Sequence, residues 1–511
     1  MGRKSNYEKD IFMQLNELMS KVDQLESNST QDRKTIKTLN SEVSSLRKDN
    51  ANLRDEVASL KKKNISLNET CDTITKENNL LRNDNERMKR ILNNDSSNSS
   101  IPPSLDNPGK PANSYNGRKS TDKKKGAQVG HKGHGLSKAE VEDKIKKGVF
   151  LHRMKEVGTF VPGRSYITRY KLDLEVQTIA TEYRIYADEN GKFQVPNELK
   201  GDVCYGETIK AIAAFLYSEG VVANDRICTF INSLSGDNLE VSTGCIYNAC
   251  NTFSEKCVEV CDRIENALLT ADEICTDATP VKTNGKLTYI RNFSTSENVL
   301  YCSSEKKDLE TLRSFGILHK YAGILTHDHE TALYHFGTEH VECNVHLERY
   351  LLKNTEETKN KWSHDLAMFL KQLNHVRNQR KEKSDTCFSE EQLERYSNRY
   401  DQILSDGIQA NKNTKGGLAK KEEKALLKRL IKYKKNHLLF LYDFRVHYSN
   451  NMSEKDLRIC KNRQKMAGGF RTTSGRQMYC RIISFIETIK RRRQNIFQSI
   501  MELMAGKPVI Q

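Results

Sequence analysis

One heptad register runs from Ile11 to Met88 and limits what the first part of this chain can become. Ile11, Leu18, Leu25, Leu39, Leu46, Leu53, Leu60, Leu67, Ile74, Leu81 and Met88 recur every seven residues, broken by Asp32. Their companions are Leu15, Val22, Ser29, Ile36, Val43, Asn50, Val57, Asn64, Cys71, Asn78 and Asn85. Apolar residues held at a and d positions over this length specify a coiled coil. Asn50, Asn64, Asn78 and Asn85 at a argue for parallel pairing in fixed register, since each amide is satisfied across the seam. Residues 7–92 are therefore expected to make a homodimer or higher oligomer. The competing reading is a single long helix packed on a globular body.

The rest of the chain points to a polyanion. Lys and Arg number 83 against 67 Asp and Glu, a net charge of +16. Such an excess suits nucleic acid or an anionic membrane surface. No apolar run approaches the ~20 residues needed to span a bilayer; the best, 211–223, is short and contains Glu219. The N-terminal MGRKSNYEKDIF has no apolar signal core. The 13 Cys are scattered without paired spacing, which fits a reducing compartment better than a disulfide framework. The expectation is a cytoplasmic protein in contact with DNA or RNA, with no membrane partner.

Residues 93–136 change character, to Ser, Asn, Pro, Gly and Lys with few large apolar side chains. They are expected to form a flexible linker. Its cluster Arg118, Lys119, Lys123, Lys124 and Lys125 either follows a phosphate backbone or is simply solvated. Residues 137–205 contain strand-like stretches, SYITRYKLDLEV and TEYRIYAD. The segment 206–270 reads as short helices, either a helix-turn-helix-like unit or ordinary helical packing. Strands then dominate 271–346. Residues 347–445 are charged and helical, with loops expected near SDGIQANKNTKGG; 446–511 is expected to complete the core, with a pair of basic amphipathic helices over 451–505.

The order of elements in 271–346 is strand, strand, strand, helix, strand, helix, strand. That is the order of an α/β core of ribonuclease-H-like type carrying a large helical insertion. Such a core presents one carboxylate from its first strand, a second after its fourth and a third from a later helix. The candidates are Asp277 in CTDATPV, Asp328 in LTHDHE and Glu454 in NNMSEKDLR. Three acids can hold two hard divalent cations about 3.5–4 Å apart and leave positions open for phosphate and water.

At greater length the motifs become specific. ILTHDHETALYHFGTEHVECNVHLERYL, followed by NNMSEKDLRICKNRQKMAGGFRTTSGRQMYC, resembles the transposases of the bacterial insertion sequence 66 family. The linker's SSNSSIPPSLD and GAQVGHKGHG are similar to that family's N-S-S-x-P-P-S and G-x-x-G-H-x-G-H signatures, and the likeness runs from about residue 96 to 505. The resemblance implies a DDE-type DNA transposase in which Asp277, Asp328 and Glu454 bind two Mg²⁺ or Mn²⁺ ions. It implies water-mediated release of a 3′-hydroxyl at an element end, then joining of that hydroxyl to double-stranded target DNA. It also implies a nucleoid-associated bacterial protein that acts alone or with small accessory proteins of the same element.

Two departures qualify it. Ala278 stands where the family has Glu after the first aspartate, and Asp272 and Glu273 are the nearest rivals to Asp277. Residues 137–203 contain no Cys, so this zinc-finger-like region is degenerate and no structural zinc is expected there. Cys343 and His346 have ligand spacing but lack two further partners, and a supporting place near the core is expected for both. Asn451 and Glu454 fit a capping box. Glu454, Arg458, Lys461 and Lys465 fall on one helical face, which, with Arg471, suggests phosphate contacts. The other readings are a nuclease that cuts without joining and an inactive coiled-coil DNA-binding regulator.

Overall fold

The computed structural model describes residues 4–93, 136–155, 162, 165, 167–199 and 201–510. Nearly all of the 93–136 linker, with Arg118, Lys119, Lys123, Lys124 and Lys125, lies outside these residues. The chain divides into two units, 1–93 with 414–421, and 94–413 with 422–511. In the first, α1 (Lys4–Asn93) is one uninterrupted helix of 90 residues, about 135 Å long at ~1.5 Å per residue. Its a and d side chains are exposed along the whole length, among them Leu25 at 67% and Leu67 at 62%.

In the second unit, α2 (Lys138–Lys146) starts on a capping box made by Ser137 and Glu140. The strands expected in SYITRYKLDLEV and TEYRIYAD do not form. Among the described residues of that region the pairing is a single bridge, Ala187 with Phe193. Alternation alone cannot make a sheet. Ile167, Leu174 and Ile179 are exposed at 80%, 92% and 82%, so no face is buried to hold strands together.

Three helices follow: α3 (Glu207–Ser218), α4 (Asn224–Leu234) and α5 (Thr243–Leu269), the last capped by Ser242. Then come β1 (Glu273–Thr283), β2 (Lys286–Ser294), β3 (Val299–Ser304), α6 (Leu309–Ser314), α7 (Gly316–Lys320), β4 (Ile324–His327) and β5 (Glu339–Glu342). The sheet order is β3-β2-β1-β4-β5, with β1, β4 and β5 parallel and the first three strands antiparallel. The hairpin between β1 and β2 closes on Asn284 and Gly285, both at positive φ. Asn-Gly is the pair that a tight two-residue hairpin selects, because both central residues sit in left-handed backbone. Pro280 lies past the last residue that β1 pairs with β4, where a missing N–H is tolerated.

The helical insertion comprises α8 (Asn344–Thr358), α9 (Lys361–Glu382), α10 (Glu390–Lys412), α11 (Gly417–Lys432) and α12 (Lys434–Tyr442). It has its own apolar core around Trp362, Leu370, Tyr400, Leu430 and Phe440. Much of the expected loop at SDGIQANKNTKGG is instead the end of α10. Gly407 is there for space: a Cβ would lie 2.8 Å from both Leu427 and Trp362 side-chain atoms.

The C-terminal part has four helices rather than two: α13 (Asn451–Asp456), α14 (Arg458–Ala467), α15 (Thr473–Arg491) and α16 (Ile496–Met504). α15 is mostly buried, packing Phe485 edge-on against Phe253 of α5 at 5.4 Å between ring centres. Helices α3–α5 share this core with the sheet, so ordinary packing accounts for their apolar pattern. β3 is an edge strand, and α15 covers that edge with hydroxyls. The Tyr301 N–H donates to Ser484 Oγ at 2.8 Å and the Val299 N–H to Thr488 Oγ1 at 3.1 Å.

Candidate active site

β1 and β4 pair in parallel with Thr276 opposite His327. Asp277 is the next residue of β1 and Asp328 directly follows β4, so the two acids leave neighbouring strands at the same level, near enough for the charge of Asp328 to act on Asp277. Asp277 itself stands outside the tight group that Asp328 forms with Glu454 and His346. Neighbouring strands run about 4.8 Å apart, and the carboxyl ends of parallel strands are where open α/β sheets place ligands. Burial, reinforced by the charge of Asp328, pushes the Asp277 carboxyl up to about 6. Its backbone N–H donates to Asn292 Oδ1 of β2 at 3.2 Å.

Glu454 arrives on α13. Its helix begins at Asn450, whose side chain makes no cap hydrogen bond. The expected capping box of Asn451 and Glu454 is therefore not formed, and the Glu454 carboxylate is turned inward. Asn450 is fully buried and works as a brace: Nδ2 donates to the Thr276 carbonyl at 2.9 Å, and its backbone N–H to Cys343 Sγ at 3.2 Å.

α8 supplies the remaining member. His346 Nδ1 lies 3.0 Å from Asp328 Oδ1 and 3.5 Å from Glu454 Oε1. Neither contact is aligned as a hydrogen bond, and all three atoms are buried without a partner. Burial alone would lower the imidazole pKa, but contacts with Asp328 and Cys343 outweigh it and push it up to about 11. With Cys343, one potential ligand atom of each of these residues lies within 4.8 Å of the others. His346, expected to support the core, thus stands among the acids, while Cys343 is buried behind them. Two carboxylates surround an imidazole that keeps its proton in the metal-free chain; a divalent cation that accepts oxygen with nitrogen would displace that proton and use the same atoms.

The rivals to Asp277 are engaged elsewhere. Asp272 pairs with Arg445 at 2.8 Å and Glu273 with His447 at 2.7 Å. Across from Ala278, Arg291 is buried and donates twice to Glu330, at 2.7 and 2.8 Å. A charge just after Asp328 thus balances this cation where residue 278 cannot.

Sequence reasoning missed the frame behind the acids. Asn292 Nδ2 donates to Asp456 Oδ2 at 3.2 Å, and Ser294 Oγ donates to the same oxygen at 2.6 Å. Arg491 pairs with the other oxygen of Asp456, and Tyr301 OH donates to its carbonyl at 3.0 Å. Asn292 therefore ties Asp277 and the helix of Glu454 to one buried amide. Within NNMSEKDLR, Asn450 and Asp456 hold the helix and Glu454 faces the site. The face drawn through Glu454, Arg458, Lys461 and Lys465 is interrupted, because Leu457 separates α13 from α14. Arg458, Lys461, Lys465 and Arg471 are all exposed.

A family model described as "Transposase IS66 family" matches residues 203–478, just over half of the 511-residue chain. The chain belongs to the IS66 transposase family. A transposase role follows, and the matched span holds all five strands and every residue of the site. A second model, of a family of unknown function, matches residues 39–137 of this IS66 family member. No curated protein matches it. No described helix is both long and apolar enough to cross a membrane.

Proposed function

We propose that this chain is a DDE-type DNA transposase that releases 3′-hydroxyls at insertion-sequence ends and joins them to target DNA. The observation that carries this reading is the convergence of buried, unpartnered atoms of Asp328, Glu454 and His346 beside Asp277. We read the sheet as ribonuclease-H-like. Its strand order, with a hairpin-built antiparallel half and a parallel half that starts from the same central strand, supports that assignment.

Asp277, Asp328 and Glu454 are the acids that hold divalent cations, Mg²⁺ or Mn²⁺, and His346 borders the same position. When bound, such cations supply Lewis acidity at phosphate and an oxygen nucleophile at neutral pH. The chain's own residues set the geometry. β1 and β4 fix the two aspartates in register, and α13 aims Glu454 from a rigid helix start. Asn292 and Asn450 keep the three together, so a phosphodiester meets a preorganised site. Arg458, Lys461, Lys465 and Arg471 contact the DNA backbone near Glu454. The exposed a and d stripe of α1 pairs with a second copy in a parallel coiled coil.

Incubating the full chain with a duplex ending in a 3′-hydroxyl from the repeats that flank its gene, supercoiled plasmid and Mg²⁺ or Mn²⁺ tests this. Joined product is expected. Cutting without joining leaves a nuclease, and binding without either leaves a DNA-binding factor. Strand transfer that survives Glu454→Ala would overturn the assignment of the third acid.

A further inference from the structure

We propose that a groove between α9 and the segment leading into α13 seats a backbone phosphodiester of the DNA strand as it reaches the acids. This rests on the transposase reading above and adds a binding site to it. The cavity has a volume of about 460 Å³ and is lined on one side by Lys371, Asn374, Arg377, Asn378 and Lys381. These residues recur at helical spacing and share one face of α9. The facing segment contributes His447, Ser449 and Asn451.

The lining is built for an anion. Lys371, Arg377 and Lys381 bring positive charge, and Arg445 is already balanced by Asp443 and Asp272. The acid in the lining is Glu348, which lies 3.6 Å from Lys371 and accepts from Tyr448 OH at 2.5 Å. Arg377 is 7% exposed, and one of its terminal nitrogens donates to the carbonyls of Phe444 (2.8 Å) and Val446. That anchorage leaves its Nε, together with Asn374 Oδ1, buried without a partner. A guanidinium fixed in this way brings its charge to the groove wall without first having to be ordered.

Position selects the ligand. Val345 and Asn451 line the groove, and they belong to the first turns of α8 and α13, which carry His346 and Glu454. An anion seated there lies against the same two helices that carry members of the site. A nucleic-acid backbone supplies such anions.

The test is salt-dependent binding of a fluorescent DNA duplex to the full chain and to two variants, Lys371→Ala/Lys381→Ala and Asn378→Asp. Each lost phosphate contact should lower the slope of log K against log salt by about 0.9. The double variant should weaken binding roughly tenfold at physiological salt. Asn378→Asp keeps the oxygen that accepts from Arg377 Nη1 at 3.0 Å and adds a negative charge to the groove, so it should weaken binding without lowering the melting temperature, which keeps the test open should the double variant unfold. Unchanged slope and affinity in both variants, with the wild-type chain still binding DNA, overturns the groove and leaves the transposase reading standing. A wild-type chain that ignores duplex DNA, or prefers duplex RNA, overturns both.

Discussion

Asn450 donates its side-chain amide to the Thr276 carbonyl at 2.9 Å, so the residue before Asp277 and the start of the Glu454 helix are held by one hydrogen bond. The amide is fully buried, and no water can replace what it gives. Replacing it with Ala should cost about 1–3 kcal/mol of stability. It should also weaken Mn²⁺ binding about tenfold or more, as lost support behind ligands does. Mn²⁺ titration followed by melting temperature measures both effects. Unchanged Mn²⁺ affinity in a destabilised variant would make Asn450 a packing residue and nothing more.

Asp277 is strained as an anion. Its folded pKa of about 6 lies above the ordinary 3.8 because of burial and the nearby Asp328. Above pH 6 its charge opposes folding. Asp277→Asn should therefore stabilise the metal-free chain, by up to about 3 kcal/mol, and abolish the rise in melting temperature that Mg²⁺ or Mn²⁺ gives the wild type. A variant that melts lower than wild type without metal would contradict this picture of the site.

Three histidines make stability fall in mild acid. Burial lowers the pKa of His327 and His437, and lowers that of His340 to about 4. The unfolded chain takes up protons near pH 6.5 that the folded chain refuses, so stability is lost as pH falls from about 6.5 toward 4. Asp277 works with the opposite sign between 3.8 and 6, so the measurement belongs in the Asp277→Asn chain. There, melting temperature should drop across this window, and His340→Gln should flatten the drop. Glu342, held below its ordinary range by His329, His437 and Arg429 against the pull of burial, adds its loss only below about pH 4.5.

The stripe on α1 predicts assembly. Leu46 and Leu53 are exposed at 65% and 59%, and Leu46→Lys/Leu53→Lys puts charges into two successive d layers. Light scattering should show the wild-type chain as a dimer or larger and the variant shifted toward monomer. A wild-type monomer would return α1 to the status of a lone helix.

The strands were legible because β-branched residues and turn formers mark them locally, and the Asn284–Gly285 pair signals its hairpin outright. Long motifs pointed to Asp328 and Glu454, and the fold brings both of them to His346. The frame behind them was not legible. Asn292 and Asp456 meet across 164 residues, and no local pattern distinguishes a buried amide from a surface one. The strands expected between 137 and 205 failed for the converse reason, since a local pattern was present and no partner surface existed to use it. The break at Leu457 was equally hidden, because the helical spacing of side chains continues through it.

The hydroxyls of Ser484 and Thr488 take up the outward N–H groups of Tyr301 and Val299. An unprotected outer strand is a template for any extended peptide that drifts past. Here that template is already read by a helix of the same chain. Two side-chain oxygens at this border therefore leave the outer strand unfit to recruit a neighbour's sheet, however many copies of the chain are brought together.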